Sequence, residues 1–309
     1  MTLTQLEYII AVDTHRHFAK AAEKCFVTQP TLSMQIQKLE DYLGVTIFDR
    51  RKQPVTPTEI GKRIIEQAKV VINESKRISE IISDEKNVIV GELKVGIIPT
   101  IAPYLLPLFI SRFIEKYPGI KLQVEELITE QIAEKLRNET LDVGILVTPY
   151  EDDLLVDKPI FFEEFFAYVS HRHEFYNKQV IQADEIDPEE VWLLTEGHCF
   201  REQVLNVCHS RTSADNLKFH YESGSLEALR RMVDKHGGIT FLPELATLDF
   251  DKFQQSKIKR FKDPKPIREV SIVINKTYLK KKLVDTFYQE VKDSIPGYLQ
   301  SEKEGEVVK

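Results

Sequence analysis

The sequence predicts an all-α N-terminal third followed by an α/β domain of parallel βαβ units. Three observations predict it. Apolar residues recur at helical spacing from residue 4 to about residue 85. From about residue 92, short β-rich runs alternate with amphipathic runs of helix length, as crossover connections require. The 309 residues, 42% of them apolar, suffice for two or three domains with cores of their own.

Residues 4–12, TQLEYIIAV, place Leu6, Ile9, Ile10 and Val12 at helical spacing, with Thr4 as N-cap. A second helix, about 17–24, is rich in Ala, which permits close helix crossing. After a break near FVTQP, Thr28 caps a third helix and Pro30 sits in its first turn, where a missing N–H costs nothing. Leu32, Ile36, Leu39 and Leu43 face inward. Gln29, Thr31, Ser33, Gln35 and Lys38 are left facing out, and short polar side chains at a helix N-terminus suit phosphates and base edges. Gly44 ends the helix, and VTIFDRRKQPVTPTEIGK follows as a short basic hairpin, a wing against the DNA backbone in which Arg50 and Arg51 would touch phosphate. Charge follows the same division. The chain carries −7 overall, yet residues 1–63 hold nine Lys/Arg against seven Asp/Glu, which leaves the remainder near −9.

Ile60, Ile64, Ala68, Val71, Ser75, Ile78 and Ile82 step by 4, 4, 3, 4, 3 and 4, an apolar seam broken by one serine. A helix over about 58–85 with such a seam and many charges needs a second copy to bury it. Beyond it, ELKVGIIP, IKLQVEEL and LDVGILVT read as strands, separated by the helices IAPYLLPLFISRFIEKYP and TEQIAEKLRNET. A second set follows after about residue 162: VWLLT, a helix starting near Cys199, LKFHYES, the helix LEALRRMVDKHG and GITFLPE. REVSIVINK and the helix KKKLVDTFYQEVKDSI close the domain.

Several functions lack support. No run approaches the about 20 apolar residues of a membrane span, and the start MTLTQLEYII lacks a signal peptide's pattern, so a cytoplasmic location is expected. No G-x-G-x-x-G, Walker A, H-E-x-x-H or G-x-S-x-G motif is present. No cofactor is expected.

The stretch EGHCFREQVLNVCHS, residues 196–210, holds Cys199 and Cys208, flanked by His198 and His209. Four readings compete: buried hydrophobes, a zinc site, a peroxidase nucleophile, or a redox pair. Adjacent His–Cys pairs diverge and lack the short C-x₂₋₄-C chelate, so no metal is expected. Cys199 follows a strand and opens an amphipathic run with Phe200, Val204, Leu205 and Val207 on one face. A helix N-terminus there favours the thiolate, the form that attacks peroxide.

The segment FAKAAEKCFVTQPTLSMQIQKLEDYLGVTIFDR resembles the winged helix-turn-helix of LysR-type transcriptional regulators, where QPTLS opens the recognition helix. GHCFREQVLNVC, GIIPTIAPYLLP and GGITFLP resemble the hydrogen-peroxide-sensing OxyR group of that family over essentially the whole chain. The resemblance implies a sensor of two Rossmann-like lobes, like a periplasmic binding protein, joined by crossing strands. It implies a peroxidatic Cys199, a resolving Cys208 and a reversible disulfide between them. It carries His198, Thr100 and Thr129 over to the peroxide site, and Arg268 as support for the thiolate. The expected division is a DNA-binding domain over 1–58, a dimerising helix over 59–87, and a regulatory domain over 88–300. Within that domain, lobe I covers about 88–161 and 268–300 and lobe II about 162–267. A charged, disordered tail over 301–309 completes the chain.

The resemblance thus implies a non-enzymatic transcriptional regulator. Its expected partners are double-stranded promoter DNA, a second copy or a tetramer of itself, RNA polymerase, and hydrogen peroxide as the signal. The alternatives are a LysR-type regulator answering a metabolite bound between the lobes, and a thiol peroxidase.

Overall fold

A computed structural model describes residues 1–85, 89–195, 199–207, 224–278 and 281–308. The chain divides into two compact units, Met1–Val88 and Ile89–Lys309.

The first unit contains α1 (Leu3–His15), α2 (Phe18–Lys24), α3 (Gln29–Leu43), a two-stranded ribbon of β1 (Phe48–Asp49) and β2 (Thr56–Pro57), and α4 (Glu59–Glu85). The cap of α1 is Thr2 and not Thr4. Both threonines head a T-x-x-E/Q box. The earlier start prevails through Gln5, which closes the box on Thr2 and also donates to Gln35 of α3 at 3.2 Å. Thr28 caps α3 as expected, and Gly44 ends it at φ +69°, a left-handed conformation costly for any side chain.

Glu40, buried on α3, explains how helix and wing are locked together. One carboxylate oxygen accepts from the Ile47 and Phe48 amides at 2.7 and 3.2 Å, and the other accepts from Arg50 at 2.8 Å. Gly61 lets α4 start against the wing, because a Cβ there would lie 2.1 Å from the Ile47 carbonyl oxygen.

The helix α4 carries two apolar faces where the sequence reading saw one. Ile65, Ala68 and Ile72 are buried against their own unit, with α1 as the main neighbour. Ala68 therefore belongs to this packing face and not to the seam. Ile64, Val71 and Ser75 are half-buried, and Ile60 and Ile78 are exposed. The Ile82 side chain lies outside the described ones.

The second unit runs β3 (Gly91–Ile97), α5 (Ala102–Lys116), β4 (Ile120–Glu126), α6 (Thr129–Arg137), β5 (Val143–Thr148) and β6 (Leu155–Val169), then β7 (Val180–Ile181), β8 (Val191–Trp192), α7 (Cys199–Val207), α8 (Leu226–His236), β9 (Ile239–Pro243), α9 (Lys252–Ser256), β10 (Ile258–Phe261), β11 (Pro266–Asn275), α10 (Lys281–Ser294) and β12 (Glu306–Val307). The parallel arrangement holds where β3 lies between β4 and β5. The sheet is mixed beyond that, since β11 runs antiparallel to both β5 and β6. The expected strand LKFHYES lies outside the described residues.

The long strand β6 joins two cores. Its residues 155–164 pair with β11, and residues 165–169 pair with β9 and β10. One core gathers around Val95, Phe109, Phe161 and Phe287, the other around Phe165, Tyr168, Phe200 and Phe241. Sequence reading passed over β6 because it does not alternate: it is buried on both faces near its end, and Pro159 interrupts it. The register with β11 slips beside Pro159, where a bulge accommodates a residue without an N–H.

The C-terminal tail is ordered, contrary to expectation. The strand β12 pairs in parallel with Pro266 and Ile267, Val308 is buried, and Lys303 pairs with Glu244. Gly305 permits this close approach, since a Cβ there would sit 2.5 Å from the Lys265 carbonyl oxygen. Composition suggested a solvated tail, but a strand edge and two valines outweigh its charges.

Candidate functional site

Two sets of residues with functional character stand out, one in each unit. In the first, α3 presents Gln29, Pro30 and Lys38 as exposed and Thr31, Ser33 and Gln35 as half-buried. The capping hydroxyl of Thr28 accepts the Thr31 amide and lies 2.8 Å from the Thr31 hydroxyl. Ser33 accepts from Arg50 at 3.2 Å, and Gln35 accepts from Gln5. Arg50 also pairs with Glu40 and stacks its guanidinium over Phe18 at 5.2 Å. The two wing arginines thus differ. Arg50 ties the wing to the helix, whereas Arg51 is 92% exposed and pairs with Asp49 at 3.3 Å. Sequence reasoning missed Phe26, which sits in the turn between α2 and α3 at φ +56° and is 95% exposed. A bulky residue rarely occupies that conformation.

The second set surrounds Cys199, a free thiol on the first residue of α7. Of its four expected partners, three lie within the described residues and arrive from different elements. Thr129 opens α6 and directs its hydroxyl at the Cys199 sulfur, 3.8 Å away. Arg268, on β11, is fully buried and acts electrostatically on the same sulfur. Thr100, in the turn before α5, holds Arg268 in place: its hydroxyl accepts from Nη1 at 3.2 Å and its carbonyl from Nη2 at 3.4 Å. The fourth, His198, lies outside the described residues, as do Cys208 and His209. The zinc reading falls on the same stretch. Among the described residues, no group of three His, Cys, Asp or Glu is placed to hold a metal.

A buried arginine needs a standing anion, and sequence reading offered Arg268 only the Cys199 thiolate. Glu163 on β6 is that anion, accepting from Arg268 Nε at 2.9 Å and Nη2 at 2.8 Å. Its other oxygen accepts the Leu245 amide at 2.7 Å. Both side chains are fully enclosed, so in a low dielectric each offsets the other's charge. The signal was present in FFEEFF, where carboxylates interrupt an apolar run that must be buried. The guanidinium also lies 5.3 Å from the Phe200 ring and 5.8 Å from Phe165, and these two rings stack on each other.

The thiol itself departs from expectation. Its helix position was expected to deliver a thiolate. Burial instead pushes the Cys199 thiol up, outweighing the Arg268 charge, the Thr129 hydroxyl and the Phe200 amide, which all pull it down; Glu130 adds to the rise. Burial thus opposes the thiolate, while a charge and donors are placed to stabilise it. The apolar face of α7 is also corrected. Phe200, Val204 and Val207 are buried, but Leu205 is half-buried, and Gln203 is buried in its stead. Positions 200, 203, 204 and 207 share one helical face, and 205 does not. The Gln203 amide donates to the Val308 carbonyl at 2.8 Å, tying α7 to the tail.

Comparison with known proteins places the chain in context. Residues 3–62 match the model for the bacterial regulatory helix-turn-helix protein of the lysR family, and residues 86–296 match the LysR substrate binding domain. A hydrogen peroxide-inducible genes activator of Haemophilus influenzae is 35% identical over 273 residues, 88% of this chain and 90% of that protein. The DNA-binding transcriptional dual regulator OxyR of Escherichia coli K12 is 36% identical over 80% of each chain. Among solved structures, full-length OxyR of Pseudomonas aeruginosa with a cysteine-to-aspartate substitution aligns with a TM-score of 0.76 at 35% identity, covering 94% of this chain and 98% of that one. OxyR of Porphyromonas gingivalis aligns with a TM-score of 0.66 at 30% identity, over 71% and 100%.

Proposed function

The chain belongs to the LysR family of bacterial helix-turn-helix regulators, and on that premise we propose that it senses hydrogen peroxide through Cys199 and Cys208 and controls oxidative-stress genes. The observation that carries this reading is the convergence on one sulfur of the Thr129 hydroxyl and the buried Arg268 charge. Neither helps a thiol that merely fills space. Both stabilise an anion, and the hydroxyls of Thr100 and Thr129 can orient peroxide beside it.

In the proposed reaction the Cys199 thiol loses its proton and the thiolate attacks one peroxide oxygen. An S–O bond forms, the O–O bond breaks, and hydroxide leaves as water, giving a sulfenic acid. The Cys208 thiol then displaces the second oxygen as water, forming a disulfide. The sulfurs lose two electrons in all, and one peroxide is reduced to two waters. His198, the sequence neighbour of Cys199, is included in the proposed site.

The helix α7 must change for this to happen. Its ends, Cys199 and Val207, lie about 12 Å apart along the axis at about 1.5 Å per residue. Any residue bonded to Val207 lies only about 3.8 Å further, so no placement of residue 208 brings its Cα within about 8 Å of Cys199. A disulfide spans about 7 Å at most, so part of α7 must unwind.

The reading extends to partners. The protein acts in the cytoplasm as a non-enzymatic activator. It binds double-stranded promoter DNA through Gln29, Pro30, Thr31, Ser33, Gln35, Lys38, Arg50 and Arg51, pairs through α4 into a homodimer or homotetramer, and signals to RNA polymerase. No helix among the described residues is long and apolar enough to cross a membrane. The test is thiol counting by mass spectrometry after one equivalent of peroxide. Loss of two thiols per chain, at Cys199 and Cys208, is expected. Retention of all three thiols refutes the reading and favours a metabolite sensor.

A further inference from the structure

The thiol cluster contains a buried carboxylate that the proposed reaction does not use. Arg268 and Glu163 are direct partners in the antiparallel β6–β11 ladder, so both side chains stand on one face of the sheet. One Glu163 oxygen takes two of the guanidinium's N–H groups, from Nε and Nη2. Nη2 also donates to the Thr100 carbonyl, and Nη1 to the Thr100 hydroxyl. Of an arginine's five N–H donors, one on Nη1 is then left without a partner among the described residues. Glu163 is itself fixed, because its second oxygen accepts the Leu245 amide at 2.7 Å. Both side chains are fully buried, so neither swings into solvent.

This arrangement has an electrostatic consequence at the sulfur. Arg268 from β11 favours an anion at Cys199, while burial and Glu130 from α6 oppose it. A guanidinium standing alone presents a full charge. Bonded to a carboxylate through two nitrogens, it presents a dipole, whose field falls off more steeply with distance. Thr100 already holds the guanidinium with two neutral acceptors, so what the carboxylate adds is negative charge. The balance at the sulfur agrees, since burial prevails there over the Arg268 charge.

We propose that Glu163 is a positioning residue that restrains the thiol: it fixes Arg268 beside the site and cancels part of its charge, which sets how readily Cys199 reacts. The inference deepens the reading of Cys199 as the peroxide-reactive thiol and rests on it for its biological sense. A peroxidase gains from the fullest charge beside its sulfur. A sensor has to stay reduced until peroxide rises, and a shared charge slows the same chemistry without removing it. Glu163 acts through Arg268.

The test reads Cys199 without peroxide. The reduced full-length chain is alkylated with iodoacetamide from about pH 6 to 10, and the Cys199 peptide is followed by mass spectrometry. Glu163→Gln keeps an oxygen for Arg268 and removes the charge. Its rate profile should move about one unit toward acid, about tenfold faster at pH 7, and rejoin the wild type at the alkaline plateau. Glu163→Asp, which keeps the charge, should hold the wild-type profile. A purely structural Glu163 leaves a different signature: a looser fold reacts faster at every pH, plateau included. Because Glu163→Gln strands a buried cation and strains the fold, a second variant replaces the pair by apolar residues, Glu163→Leu with Arg268→Met. Loss of an unshared cation slows alkylation at pH 7 by about tenfold to a thousandfold, and loss of a partly cancelled one should slow it by less than about tenfold. An unmoved Glu163→Gln profile, acceleration at every pH, a Glu163→Asp profile moved as far as that of Glu163→Gln, or a double variant slowed by about tenfold or more overturns the proposal. A shifted alkylation profile in a protein whose Cys199 ignores peroxide supports restraint by Glu163 and refutes the sensor.

Discussion

At the scale of single residues, the thiol site is governed by a contest between burial and charge. Burial holds the Cys199 thiol above its ordinary value, and peroxide attacks only the thiolate. With the folded value raised, the thiolate fraction falls about tenfold for each unit of pH below it, so the rate of peroxide oxidation should climb through neutrality without levelling. Stopped-flow rates between pH 6 and 9 check this, and a plateau below pH 7 sinks it. Cys199→Ser should abolish fast oxidation, and Cys208→Ser should leave the first step intact while sulfenic acid accumulates. Cys25→Ser should change neither, since burial and Glu7 also raise that thiol and, among the described residues, no cation or hydroxyl offsets them. Thr129→Val removes the one hydroxyl that reaches the sulfur among the described residues and should slow oxidation about three- to tenfold, the worth of one hydrogen bond. Cys199 stood out through its local pattern, and Thr100 and Thr129 were legible only through the family resemblance. Glu163 was not, because its meaning depends on Arg268, 105 residues away in sequence, and only the β6–β11 pairing joins them.

At the scale of elements, α7 and the C-terminal segment form one mechanical unit. To unwind, α7 must release Phe200, Val204 and Val207 from the second core and break the Gln203–Val308 bond. A chain ending at residue 302 loses that bond, the β12 pairing and the Lys303–Glu244 pair together. In the reduced protein its α7 amides should then exchange about tenfold faster or more, and the disulfide should form sooner after sulfenic acid appears. Exchange rates over 199–207 identical in the full and shortened chains would show that the tail does not restrain the helix. The wing makes a parallel case. Arg51→Ala should weaken binding to every DNA sequence and reduce the salt slope by about one. A bulky replacement of Ser33 should abolish specific binding with little change in that slope. Arg50→Ala should behave differently from Arg51→Ala, because it strips the buried Glu40 of its cation and destabilises the unit by about 1 kcal/mol or more. Caps and turns such as Thr28 and Gly44 were readable from local chemistry. The tail and β6 were not, since a strand's partner is set by what lies beside it in the folded chain.

At the scale of the whole molecule, the sequence conveyed two kinds of periodicity and the structure separates what they do. The seam along α4 was read as a single dimerising stripe. The folded helix shows one stripe spent on its own unit, at Ile65, Ala68 and Ile72, and a second beside it in which Ile64 and Val71 are half-buried against the same core and Ile60 and Ile78 remain open. Periodicity of 3.5 to 3.6 cannot tell such stripes apart, because adjacent apolar positions on a helix serve either face. Substitution can. Ile72→Asp places a carboxylate in a closed core and should unfold the DNA-binding unit, at a cost of about 3 kcal/mol or more. Ile78→Asp puts the same charge on a side chain that is 65% exposed within its own chain, so the isolated fold should be unharmed. If the open stripe is where two copies meet, the Ile78 variant should sediment at half the mass of the wild type, keep its circular dichroism, and bind a single half-site while losing its preference for a two-fold site. A variant that keeps both its mass and its palindromic binding would place the contact between copies elsewhere on the molecule.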